Sequence, residues 1–174
     1  AAEAAALAAA EEELAARGHA VLDGALSGEA LRGLRALLQE ASIYFYPKKG
    51  GEYLLALLED GLAWPLLAAV VEGLRKALPN ALGSYVLCEA RAWKGDNSRL
   101  PGRVSPPPGP GLEPGGAAVA VLLWTAPASA LVATTAAEPV LSLPSGGVAT
   151  QVAYAANRVV LWRDDCPAAA PIWH

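Results

Sequence analysis

Ser84-Tyr-Val-Leu-Cys-Glu-Ala-Arg-Ala-Trp93 is where this chain changes its period. Upstream of it, apolar residues recur at helical spacing. Within it they alternate: Tyr85, Leu87, Glu89, Arg91 and Trp93 share one face, while Val86, Cys88, Ala90 and Ala92 share the other. The spacing predicts a long strand over 84–93, and with it a β-rich second half. Downstream, 117–124 reads as an apolar strand buried on both faces, and 131–133, 139–143, 148–154 and 158–163 as further short strands. Between 95 and 116 stand six prolines and six glycines, a composition that fits only a loop.

Working back from Ser84, three helices precede the strands. Residues 1–17 are alanine-rich with Leu7, Leu14 and four glutamates, and Gly18 is placed to end them. Residues 19–24 read as a strand entering a turn. Ser27 is a natural N-cap for 28–41, where Leu31, Leu34, Leu37 and Leu38 form one stripe and Arg32, Arg35 and Gln39 face solvent. Pro65 suits the first turn of a third helix, whose buried stripe is Leu66, Leu67, Val70, Val71, Leu74 and Leu78 and which ends at Pro79-Asn80. A sheet with one greasy face needs cover, and the early helices supply it. Several closely spaced short strands suit a jelly roll or small double-stranded β-helix. The first helix is poorly amphipathic, which predicts that it is steadier against another protein than alone in water.

Composition narrows the function. Apolar residues make up 54% of the 174 positions and charged residues 17%, so the chain folds around a core. A formal net charge of −4, with basic residues scattered, argues against direct nucleic-acid binding. No apolar run is long enough for a membrane span. Cys88 and Cys166 lie in or beside strands and read as small buried hydrophobes rather than a disulfide. The chain has no methionine, so it reads either as a processed protein or as part of a longer one; residues 1–17 do not resemble a targeting peptide, and cleavage of an upstream presequence would favour an organelle, a mitochondrion or chloroplast.

Histidine, the usual general base and metal ligand near neutral pH, is absent between His19 and His174. His19 itself reads as a satisfied or surface histidine, and Glu89 with Arg91 as a structural pair. Glu113, Asp164, Asp165 and Cys166 form a candidate residual metal site, for which a solvated turn is the simpler reading. Tyr44, Phe45 and Tyr46 are candidate partner contacts or ordinary core, since aromatics suit both. The glycines at 109, 111, 115 and 116 do not open a helix and make no phosphate loop; Ser145 lacks a histidine for a triad.

Taken in order, Gly18-His-Ala-Val-Leu-Asp-Gly-Ala-Leu26, Tyr53-Leu54 with Glu59-Asp60-Gly61, Leu74-Arg-Lys-Ala-Leu-Pro79 with Leu82-Gly83, Ala117-Ala-Val-Ala-Val-Leu-Leu-Trp124-Thr-Ala-Pro127 and Val152-Ala-Tyr154-Ala-Ala-Asn157-Arg158-Val-Val-Leu-Trp162 resemble a 2-oxoglutarate- and Fe(II)-dependent oxygenase of the prolyl-hydroxylase-like group, over 17–166. The resemblance implies an α+β fold: a helical N-terminal half packed on a double-stranded β-helix of jelly-roll, cupin-like form. Its parts would be an Ala-rich helix at 1–17 and an oxygenase-like domain at 18–174, with helices over 27–80 and the β-helix over 84–166. In such enzymes a His-x-Asp pair and a distal His hold Fe(II), and an arginine grips the 2-oxoglutarate carboxylate. The resemblance aligns Glu113-Pro114-Gly115 with the His-x-Asp pair and Pro167 or Ala168 with the distal His, so Glu113, Gly115 and Ala168 are degenerate ligand positions. The expectation is a catalytically degenerate oxygenase-like domain acting as a structural or interaction subunit among other protein subunits, with no cofactor. Two rival readings stay open: an active hydroxylase using Fe(II) and 2-oxoglutarate through atypical or unseen ligands, and a small-ligand binder.

Overall fold

A computed structural model describes residues 2–47, 53–95, 119–130, 140–145, 148–163 and 172–173. In chain order the elements are α1 (Ala2–Arg17), β1 (His19–Asp23), α2 (Gly28–Glu40), β2 (Tyr46–Pro47), β3 (Tyr53–Leu57), α3 (Pro65–Ala77), the short α4 (Pro79–Leu82), β4 (Arg91–Gly95), β5 (Val119–Trp124), β6 (Val140–Ser145), β7 (Val148–Ala153), β8 (Arg158–Arg163) and β9 (Ile172–Trp173). A π-helical turn, Leu58–Leu62, joins β3 to α3, and Gly61 takes φ +114° inside it. A Cβ at Gly61 would also meet Ile43 at 3.2 Å, so both backbone and space ask for glycine there.

The punctuation read from the sequence acts as expected at three places. Gly18 closes α1 at φ +75°, and its N–H donates to Leu14 O at 3.0 Å. The Ser27 hydroxyl accepts from Ala30 N–H at 3.1 Å to cap α2. Pro65 occupies the first turn of α3.

Three antiparallel sheets are formed, ordered β1-β8-β5, β2-β3-β4 and β7-β6-β9. In the first, β8 is central: Val160 stands between Val21 and Leu122, and Arg158 between Asp23 and Trp124. Side chains from this sheet alternate between two cores. Ala20, Leu22, Val159 and Leu161 pack with Ala10 and Leu14 of α1, Val70 and Leu74 of α3, and Leu78 and Leu82. Val160, Leu122 and Trp124 project to the other face, against Val152 of β7. A third core joins Ala56, Ala92 and Leu62 to Ile43, Tyr44 and Trp64. Because both faces of β8 are covered, Val159, Val160 and Leu161 are all buried. No helix among the described residues is long and apolar enough to cross a membrane.

Several expectations are corrected. The strand over 84–93 shrinks to Arg91–Gly95; 84–90 belongs to no sheet among the described residues, and its alternation faces water, with Val86 74% exposed. Cys88 is exposed, not a buried hydrophobe, because it lies on that segment. β5 is not covered on both faces: it pairs with β8 alone among the described residues, and Val121 is 40% exposed. Arg35 does not face open solvent but turns back to donate from Nε to Thr125 O. Helix α1 docks on its own chain through buried Ala10 and Leu14. The predicted strand at 131–133, and Cys166, lie outside the described residues.

Candidate functional site

The second face of the β1-β8-β5 sheet is the place to look for chemistry, since the first is sealed by helices. Strand alternation and register put His19, Val21 and Asp23 of β1, Trp162, Val160 and Arg158 of β8, and Ala120, Leu122 and Trp124 of β5 on this face. Opposite them pack Val152, Tyr154 and Trp93. The Trp124 and Tyr154 rings meet at 5.2 Å between centroids, tilted by 41°. Such tilted pairs fill space by edge and face contact. The result is a layer of indoles, one phenol and branched aliphatics.

The two ends of this face differ. At one end Val119 pairs with Arg163, and His19 pairs with Trp162. The chain enters β5 and leaves β8 at that end, after Glu113 and Gly115 in sequence and before Asp164, Asp165, Cys166 and Ala168. All six lie outside the described residues, as does His174. His19 is the one buried polar residue among the described ones, and its Nδ1 has no hydrogen-bond partner there. The sequence reading expected a satisfied or surface histidine; His19 is instead buried with Nδ1 unpartnered among the described residues. The cause is local: β1 begins at His19, and its neighbour across the ladder is a tryptophan.

At the other end, Arg158 holds Asp23 through Nη2 at 2.8 Å and Nε at 2.5 Å, while its Nη1 donates to Ala153 O at 2.6 Å. This hydrogen-bonded pairing draws the Asp23 carboxyl below its ordinary value and raises the Arg158 guanidinium above its own. Beside it, Asn157 sits at φ +64° and clamps the β7–β8 turn to the loop after β1. Its amide accepts from Leu26 N–H at 2.9 Å and donates to Leu26 O at 2.7 Å. Tyr154 OH donates to Ala126 O at 2.5 Å, and burial raises its phenol above the ordinary value, with Arg35 pulling weakly the other way.

The remaining candidates separate. Tyr44 is half-buried in the third core beneath Lys94, whose Nζ lies 4.2 Å from the ring centroid, and burial raises its phenol. Phe45 is 60% exposed, and Tyr46 opens β2 opposite Leu55. Glu89 and Arg91 form the expected ion pair. A cavity of about 450 Å³ lies on the helical side, lined by Leu7, Leu26, Leu66 and Val70 among others. Among the described residues no group of three or more His, Cys, Asp or Glu is placed to hold a metal ion. Arg35, Asn157 and Glu11 were not singled out from sequence for the contacts they make; each acts on a partner at least 69 positions away, which local pattern does not reveal.

No family model and no curated sequence matches the chain. A solved structure does: a prolyl-4-hydroxylase from Pseudomonas putida, at 17% identity and TM-score 0.62, over 96% of this chain and 89% of that one. This chain shares that enzyme's fold. The likeness runs through helices and antiparallel sheets alike, as the sequence resemblance implied; it speaks to architecture, not to activity.

Proposed function

We propose that the chain is a catalytically degenerate relative of the 2-oxoglutarate- and Fe(II)-dependent oxygenases, a double-stranded β-helix serving as a structural or interaction subunit of a larger protein assembly. One observation carries this reading: a hydroxylase fold whose sequence holds no histidine between His19 and His174. Fe(II) in a facial triad asks for two imidazoles and a carboxylate with open positions beside them. Gly115 and Ala168, at two of the degenerate positions, have no donor atom, and Glu113 could supply one carboxylate at most.

The packing supports the same reading. Where a metal site would need polar donors aimed between the sheets, Trp93, Trp124, Trp162 and Tyr154 lie with Leu122, Val152 and Val160. Among the described residues His19 is the one imidazole on that face, and it has no companions of a triad there. These residues do not fit Fe(II) with 2-oxoglutarate.

The test is metal loading of the purified protein under anaerobic conditions, followed by desalting, iron analysis and a succinate assay with 2-oxoglutarate. Substoichiometric iron and no succinate above the buffer control are expected, together with recovery from the native source in a stable complex. Stoichiometric retained Fe(II) with succinate formation would overturn the degenerate reading; recovery as a lone monomer after gentle extraction would overturn the subunit role.

A further inference from the structure

Helix α2 carries Arg32, Arg35 and Gln39 at separations of three and four residues, so they form one stripe along its length. Arg35 is not a loose surface cation. Its Nε–H donates to Thr125 O, which fixes the guanidinium plane, and the next residue's carbonyl, Ala126 O, accepts from Tyr154 OH. A guanidinium tied down at Nε still offers the Nη1 and Nη2 edge, whose two parallel N–H groups match a carboxylate. At the far end of the stripe, Lys94 Nζ donates to Gln39 O at 3.3 Å and is held over the Tyr44 ring.

The charge of this stripe is unbalanced. Among the described residues Arg17, Arg75, Lys76, Arg91 and Arg158 all have carboxylate partners, while Arg32, Arg35 and Lys94 have none. Of the acids of α2, Glu29 stands three residues before Arg32 at the start of the same stripe, with no ion pair joining the two among the described residues, while Glu40 lies more than a third of a turn from Arg35 around the helix axis. Tyr154 stays a neutral phenol beside the guanidinium and adds no opposing charge. Three cations without a carboxylate partner among the described residues, one of them fixed and half-buried, against the single Glu29 at the start of the stripe, stand out on a chain of net charge −4.

We propose that the Arg32–Arg35–Lys94 stripe is a docking surface for an acidic segment of a partner protein, with Arg35 gripping a carboxylate end-on. From the level of Arg32 to that of Gln39 is about 10 Å along the helix. About three residues of extended chain cover that length, so the occupant carries at least two carboxylates within a short stretch. The proposal rests on the reading of the chain as an interaction subunit and names the chemistry of the partner.

The experiment is fluorescence anisotropy with a labelled oligoglutamate peptide, an oligoglutamine control and inorganic polyphosphate, at low and physiological ionic strength. Oligoglutamate is expected to bind, oligoglutamine not, and the affinity to fall with salt. Arg35→Gln should weaken binding on the order of tenfold. Arg32→Gln, on an exposed side chain with no fold contact to lose, should weaken it by a smaller factor with an unchanged melting temperature. Binding that is indifferent to both substitutions, or equal for oligoglutamine, overturns the proposal. Tighter capture of polyphosphate with the same dependence on Arg35 overturns the assignment to a protein partner. Neither result bears on iron loading, so failure here is distinguishable from failure of the degenerate-enzyme reading.

Discussion

Asn157 gives the most discriminating test of how this fold is closed. It adopts φ +64°, a conformation other L-residues with a Cβ enter at a cost of roughly 1 kcal/mol. Its side chain makes two hydrogen bonds to the backbone of Leu26, at 2.9 and 2.7 Å, across 131 positions of sequence. Its own backbone adds two more, accepting from Ala25 N–H at 3.2 Å and donating to Trp124 O at 2.8 Å. Substitution by alanine removes both side-chain bonds, at about 1 kcal/mol each, and adds the left-handed penalty, for a loss of about 3 kcal/mol. Glycine removes the bonds but keeps the backbone at ease, for a loss of about 2 kcal/mol. For a domain of this size those losses lower the melting temperature by about 6–12 °C and about 4–8 °C respectively. Urea unfolding followed by tryptophan fluorescence and by far-ultraviolet circular dichroism measures both. Equal losses for alanine and glycine would refute the backbone argument. Two variants as stable as the parent would refute the clamp altogether.

Two further outcomes follow from contacts that tie distant segments. The Glu11 carboxylate accepts from Asn80 N–H at 2.7 Å, Ala81 N–H at 3.0 Å and Asn80 Nδ2 at 2.7 Å, pinning α1 to the start of α4. Glu11→Ala should cost about 1–2 kcal/mol in urea unfolding and Glu11→Gln less, since glutamine keeps one acceptor oxygen; a neutral alanine substitution would show that α1 is held by Ala10 and Leu14 alone. Asp23 has its carboxyl drawn down by the hydrogen-bonded Arg158, so the bridge stabilises the folded chain above the unfolded carboxyl value of about 3.9 and that contribution is lost as pH falls through the lower folded value. With Asp23 largely open to solvent, its advantage over Asp23→Asn should be about 0.5–1 kcal/mol near neutrality and vanish in strong acid; a gap that persists in acid would assign the effect to packing instead.

The helices were legible because their signals are local, but β2 and β3, which lie within the span 27–80 read as helical, were not. Ser27, Pro65 and Gly18 act within one turn of the helix ends they set, and the stripes of α2 and α3 recur at helical spacing. The strands were less legible, and the errors share a cause. Val119–Trp124 and Arg158–Arg163 are both apolar runs, yet β8 is central and buried on both faces while β5, among the described residues, pairs on one edge only. Hydrophobicity reports that a segment can be buried; which side is covered depends on strand order, set by segments far away in sequence. The alternation at 84–90 shows the same limit. Its pattern is that of a strand, but no described partner takes up its backbone, so Val86 and Cys88 stand exposed.

Sequence gives the residue types available to a site but not the surface they form. The expectation of degenerate ligands comes from counting histidines, because ligand chemistry follows from residue type; the positions it names, Glu113, Gly115 and Ala168, lie outside the described residues. Which side chains fill the second face of the β1-β8-β5 sheet is a question of register. Trp162 faces it because β8 pairs His19↔Trp162 and Ala120↔Trp162, and a shift of one residue would have sent that indole to the helical side. Arg35 shows the converse. Its helical spacing with Arg32 and Gln39 marks it as a surface residue, and only the return of the chain at Thr125 turns it into a fixed, half-buried cation. A cation becomes a recognition group when its plane is held and its edge is free, and this helix meets both conditions at one residue.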